Sequence, residues 1–292
     1  LVKRLRSAFG VSAAAEVSME ANPDTVDEAT LAALRGAGVT RLSMGAQSFD
    51  KDVLEALERV HQPEAVRSAY SAARTAGFDD VNLDLIFGAE GESLTSWLDT
   101  LEQAIELEPE HLSAYALTIE AATPLGRKVA SGITPAPDPD LQADMYAAAC
   151  ERLAAAGYEH YEVSNWAKPG RECRHNLTYW RRGSYLGLGA DAHSHRDARR
   201  WWNLRPPEQY LAEVEAGRLP VGGKEHLSAP EMRLEDVFLR LRMLEGIPAN
   251  QVDEQRASSL RDAGLLTRRG PNYVLTERGM FLANEVILDM AR

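Results

Sequence analysis

Five polar side chains stand at the ends of strand-like runs: Glu20 in VSMEANP, Gln47 in RLSMGAQS, Asp84 in VNLDLIFG, Thr118 in HLSAYALTIE and Asn165 in HYEVSNW. Among them two carboxylates and the Gln47 amide, with the nearby Arg59, make a set able to hold a zwitterion and a ribose. The carboxylates accept hydrogen bonds from an ammonium or from sugar hydroxyls, Gln47 both donates and accepts, and the Arg59 guanidinium forks onto a carboxylate. A nucleoside amino acid suits that inventory. Each residue alone has an ordinary use as a cap or in a surface ion pair, and Asn22, Pro23 and Asp24 read as a helix start.

Such strand ends converge when the strands lie parallel. Helical runs DEATLAALRGAG, DVLEALERV and SLTSWLDTLEQAIEL alternate with the strands, which predicts an α/β fold with a parallel sheet whose C-terminal edge gathers the polar groups. The chain opens on Leu1 and a helix-like LVKRLRSAFG, from which we expect a further strand upstream. Gly and Pro punctuation divides the chain into a βα region to residue 168, a Trp-, Tyr- and Gly-rich stretch over 169–225, and a segment rich in helix formers over 226–292. In that last segment MRLEDVFLRLRML precedes helices flanking a short hairpin, a winged-helix-like pattern. Arg268 and Arg269 supply little basic surface there, so structural or ligand-capping use is expected rather than nucleic-acid reading.

The 292 residues, 45% of them hydrophobic, suffice for one large domain and a smaller one. A net charge of -12 argues against a broad nucleic-acid-binding surface. No run approaches the ~20 apolar residues of a membrane span, so a cytoplasmic location is expected, with peripheral membrane contact left open. Cys150 and Cys173 fit neither a disulfide framework nor a metal quartet.

Taken with their neighbours, EANP at 20–23, GVTRLSMGAQSF at 38–49, ERVH at 58–61 and NLDLIFG at 82–88 resemble radical S-adenosylmethionine (SAM) proteins of the HemN/HemW branch over nearly the whole chain. The resemblance implies a partial (β/α)6 barrel followed by a helical, winged-helix-like domain. It also implies that Glu20, Gln47, Arg59 and Asp84, with Thr118, contact S-adenosylmethionine, and that a 4Fe-4S cluster sits in a Cys-x3-Cys-x2-Cys loop. That loop is absent from this sequence, and two distant cysteines cannot hold the cluster. GAEGES at 88–93 also departs from the Leu-Pro pair usual in the family.

HNLTYW at 175–180 resembles the HNxxYW motif of the heme-chaperone members of that branch. By that resemblance His175 ligates heme iron while Tyr179 and Trp180 pack the porphyrin face. Spacing alone also allows His175 and Asn176 to cap a turn with Tyr179 and Trp180 entering the core. Downstream, YLGLGADAHSHRDARRWWN at 185–203 resembles the family's GxGAHS loop. Its His193 and His195 have no third ligand nearby in sequence, which argues against zinc. The implied function is a heme chaperone that delivers heme to acceptor hemoproteins, such as respiratory ones; the enzyme alternative is oxygen-independent coproporphyrinogen III dehydrogenation.

Overall fold

The computed structural model describes residues 1–291. Its first unit, Leu1–Cys173, contains α1 (Val2–Phe9), β1 (Ser18–Ala21), α2 (Glu28–Ala37), β2 (Arg41–Gln47), α3 (Lys51–Ala56), α4 (Pro63–Thr75) and β3 (Val81–Phe87). It continues with α5 (Leu94–Glu106), β4 (His111–Ala116), α6 (Pro124–Ala130), α7 (Pro139–Ala155), β5 (Glu159–Glu162) and β6 (Asn165–Ala167). One six-stranded sheet runs β1-β2-β3-β4-β6-β5. The pairs from β1 to β4 are parallel, as the alternation of strands and helices predicts, while β6 is antiparallel to both β4 and β5.

Helix starts follow capping chemistry. Asp27 accepts from the Thr30 N–H, Ser93 from the Ser96 N–H and Asp138 from the Asp140 and Leu141 N–H groups. The helix start read at Asn22–Asp24 is instead a single 3-10 turn over Pro23–Thr25, and α2 begins after Asp27. HYEVSNW, read as one strand, is two: the chain reverses at Val163 and Ser164 between β5 and β6. The core joins one sheet face to the helices through Leu31, Leu42, Met44, Val66, Leu83, Leu85, Trp97, Leu101 and Met145, all essentially inaccessible to solvent. Within it the Trp97 Nε1–H donates to the Met145 carbonyl at 2.8 Å, which satisfies the one polar atom of a buried indole.

The second unit begins at Arg174. It holds α8 (Arg174–Trp180), β7 (His193–Arg196), β8 (Arg199–Asn203), α9 (Pro207–Glu215), β9 (Val221–His226) and α10 (Ala229–Arg240). After these come β10 (Ile247–Pro248), α11 (Glu254–Asp262), β11 (Leu266–Arg269), β12 (Asn272–Leu275), α12 (Glu277–Phe281) and α13 (Ala283–Met290). Strands β7, β8 and β9 form one antiparallel sheet, and β10, β12 and β11 a second whose β11–β12 hairpin lies between helices, as the winged-helix-like pattern anticipates. Ser228 and Glu231 form a reciprocal capping box at the start of α10.

The turn leaving β3 is closed by Glu92. Its Oε2 accepts from the Gly88 N–H at 2.7 Å and the Ala89 N–H at 3.1 Å, and the side chain is 5% exposed. Burial pushes its carboxyl up to about 7 against those two backbone donors, with the Asp50 charge adding to the rise. In the unfolded chain the group ionises near 4.5. The native state therefore holds the extra proton between pH 4.5 and about 7, and stability falls as pH rises through that window. Glu92→Gln is expected to remove this slope, gaining about 1–3 kcal/mol over the parent at pH 8 and little at pH 4.5 in chemical denaturation. Parallel stability profiles for the two proteins would reject a neutral buried carboxyl.

Candidate functional site

Successive residues of a strand face opposite sides of its sheet. On β2 and β3 the residues Leu42, Met44, Ala46, Val81, Leu83 and Leu85 are all fully buried, so Ser43, Gly45, Gln47, Asn82, Asp84 and Ile86 share the other face. Register then sets neighbours across the strands. Glu20 lies opposite Ser43, Ser43 opposite Asn82 and Asn82 opposite His111, while Gly45 lies opposite Asp84 and Asp84 opposite Ser113. Toward the strand ends this face opens into a cleft of about 720 Å³ lined by Glu20, Gln47, Arg59 and Asp84, together with Asn22 and Tyr115. Four of the five residues expected to contact S-adenosylmethionine thus meet in one cavity.

Each is held by a local device. Gln47 sits where the β2–β3 register shifts, with a left-handed φ of 63°, and a Cβ on Gly45 would stand 2.7 Å from its Nε2. Arg59 follows the end of α3. There Glu58 takes a left-handed φ of 56°, the Arg59 N–H donates to the Leu54 carbonyl at 2.9 Å, and the His61 Nε2–H donates to the Ala46 carbonyl at 3.0 Å. Both carboxylate oxygens of Asp84 are engaged: Oδ1 accepts from Asn82 Nδ2 and Oδ2 from Ser43 Oγ, each at 2.8 Å. Burial and the nearby Asp84 charge raise the Tyr115 phenol, which keeps it a hydroxyl donor at neutral pH.

Two expected strand-end residues stand apart from the cleft lining. Thr118 lies two residues beyond the end of β4, exposed, with its hydroxyl donating to the Ala116 carbonyl at 3.4 Å. Asn165 opens β6, is buried and donates to Glu162. Sequence reading passed over Ser43, Asn82, His111 and Tyr115. Of these, Asn82 alone stands at i, i+2 spacing from a polar residue already chosen, Asp84.

Cys150 is half-buried on α7 and Cys173 is buried. Among the described residues no group of three or more His, Cys, Asp or Glu side chains could hold a metal ion, so these residues do not fit an iron–sulfur cluster. His193 and His195 each meet other partners. His193 stacks on Trp202 at 5.7 Å between centroids, and His195 is buried with Nδ1 donating to the Gly183 carbonyl at 2.9 Å.

In the second unit, α8 brings His175 and Tyr179 together at i, i+4 spacing, rings edge to face at 4.8 Å. Tyr185 extends the array at 4.7 Å from Tyr179. Trp180 turns elsewhere, its ring lying beneath the Arg242 guanidinium at 5.0 Å. The glycine-rich loop that delivers Tyr185 is stitched by Ser194 Oγ accepting from the Gly187 N–H at 3.0 Å and by Asn203 Nδ2 donating to the Gly189 carbonyl at 2.8 Å.

Comparison with known proteins places these features in a family. Residues 2–104 match the Radical SAM superfamily. The chain is 43% identical over 98% of its length to the heme chaperone HemW of Mycobacterium tuberculosis, spanning 74% of that protein. It is 35% identical to the heme chaperone HemW of Escherichia coli, over 98% of the chain and 78% of the relative. Among solved structures, coproporphyrinogen III oxidase (HemN) from Escherichia coli superposes with a TM-score of 0.83 over 99% of this chain and 73% of that one, at 23% identity. That last likeness shows the fold.

The left-handed backbone at Gln47 supplies a stability test. A non-glycine residue there costs about 1 kcal/mol. Gln47→Gly is expected to leave the native state at least as stable in urea denaturation while deleting the side chain that lines the cleft. A loss of more than about 1 kcal/mol would mean that the Gln47 side chain holds the bulge together.

Proposed function

This chain belongs to the HemW family of the radical SAM superfamily, and on that footing we propose that it binds S-adenosylmethionine in the cleft of its first unit and carries heme on α8 of its second. The cleft inventory supports the first part. Arg59 would take the ligand carboxylate, Glu20 and Asp84 its ammonium and ribose hydroxyls, and Gln47 and Tyr115 the remaining polar edges, all five lining one cavity. Thr118 would join them from beyond β4. Reductive cleavage of the sulfonium is the chemistry that the bound cofactor supplies in this superfamily, with a 4Fe-4S cluster. The described residues provide no cluster site, and the contribution of this chain is to bind and orient.

Heme is the cargo. One observation carries this reading: His175 and Tyr179 lie side by side on an exposed face of α8, an imidazole beside an aromatic wall that Tyr185 continues. Imidazole nitrogen is a good axial ligand for heme iron, and flat rings pack against porphyrin. Trp180, already engaged by Arg242, would contribute less. Delivery of heme to acceptor hemoproteins, respiratory ones among them, follows from the chaperone reading, as does a cytoplasmic setting. Among the described residues no helix is long and apolar enough to cross a membrane. Coproporphyrinogen III dehydrogenation is the weaker alternative, because the likeness to that enzyme extends to the fold alone.

Titration of the chain with hemin is expected to give a red-shifted Soret band that saturates near one equivalent. His175→Ala should weaken binding at least tenfold and alter the band, whereas Trp180→Ala should change it less. Identical spectra for parent and His175→Ala would remove heme ligation from α8, and protoporphyrinogen formed from coproporphyrinogen would restore the enzyme reading.

A further inference from the structure

Behind Asp84 a chain of hydrogen bonds runs through the interior face of the sheet to β5. Asn82 Nδ2 donates to Asp84 Oδ1 at 2.8 Å and to Ser43 Oγ at 2.7 Å, and Ser43 Oγ donates to Asp84 Oδ2 at 2.8 Å. Asn82 Oδ1 lies 2.6 Å from His111 Nδ1, and His111 Nε2 lies 2.8 Å from the Tyr161 hydroxyl. Asn82 is 4% and His111 1% exposed. Burial, and next the Arg41 charge, hold the imidazole pKa well below its usual value, so the ring is neutral and carries a single N–H.

Donor counting fixes the direction of the chain. An ionised carboxylate only accepts, so the Asn82 amide must turn its NH2 toward Asp84 and Ser43 and its oxygen toward His111. His111 must then carry its proton on Nδ1 and accept the Tyr161 hydroxyl at Nε2. The reverse arrangement would set the Asn82 oxygen against the Asp84 carboxylate in a site with little water, where unpaired acceptors are costly. Without an N–H at His111, the Asn82 oxygen keeps only the longer Ser113 hydroxyl donor at 3.3 Å and loses the 2.6 Å partner that holds the amide upright.

We propose that His111 is a positioning residue for the cleft: acting through Asn82, it fixes the Asp84 carboxylate in its ligand-accepting orientation, with Tyr161 setting the imidazole tautomer. This rests on the reading of the cleft as an S-adenosylmethionine site, and it adds a residue that never touches the ligand. His111→Phe removes the N–H. His111→Asn places an amide N–H near the former Nδ1 and should rescue.

Two measurements test the relay, the first on ligand-free protein. The side-chain amide protons of Asn82 should exchange slowly in the parent and in His111→Asn and quickly in His111→Phe, and nitrogen NMR of the parent should show His111 protonated at Nδ1. Equal exchange in all three proteins, or the Nε2–H tautomer, overturns the proposal even if His111→Phe folds poorly. Calorimetric affinity for S-adenosylmethionine should fall about tenfold in His111→Phe and stay within about threefold in His111→Asn. Equal loss in both variants, or loss in neither, also overturns it. A parent chain that shows the expected exchange pattern yet binds no S-adenosylmethionine would sink the ligand assignment while the relay stands.

Discussion

The period-two geometry of β2 and β3 is the constraint from which the cleft follows. One face of these strands is committed to the helical layer, with Leu42, Met44, Ala46, Leu83 and Leu85 sealed from water. Every polar residue in the same runs is thereby forced onto the opposite face. Once Asp84 and Asn82 stand there, partly or wholly removed from solvent, each must find a partner, and the register of the parallel pairs supplies one at every step. Fold and chemistry are coupled at this point: a one-residue slip of β3 would turn Asp84 into the apolar layer and Leu83 into the cleft.

The second unit solves a different problem. The proposed heme face needs a wall of rings that does not collapse into a core of its own, and α8 spans only Arg174–Trp180. The loop after it is pinned at Gly187, where a Cβ would lie 2.2 Å from the His193 carbonyl oxygen, and at Gly189, whose N–H donates to the Tyr210 hydroxyl at 3.1 Å. Glycine here permits close backbone approach, and that approach sets Tyr185 against Tyr179. Buried His195 closes the turn from behind through the Gly183 carbonyl.

Much of this was legible in the amino-acid order. Glu20, Gln47 and Asp84 announced themselves as polar residues ending apolar runs, and the alternation of helix and strand implied that they converge. Arg59 was legible as a nearby cation able to fork onto a carboxylate and through the resemblance carried by ERVH at 58–61. Thr118 shows the limit of that logic, since β4 stops at Ala116 and nothing in YALTIE marks the stop. Asn82 and His111 were hidden for another reason. A strand buried on both sides reads as a nearly continuous apolar run, and a single amide or imidazole within it looks incidental until register brings the two together. The reversal inside HYEVSNW was invisible because Val163 and Ser164 carry none of the glycine, proline or asparagine that usually flags a tight turn.

That reversal also bears on how the sheet comes into being. Parallel neighbours such as β2 and β3 must await an intervening crossover of helix, whereas β5 and β6 are joined by two residues and can zip within microseconds. Because β6 then docks on β4 through the pairs Ser113–Asn165, Leu112–Trp166 and His111–Ala167, the hairpin provides a ready-made border on which slower long-range pairing can assemble. The rim that ends the sheet in space is thus suited to begin it in time.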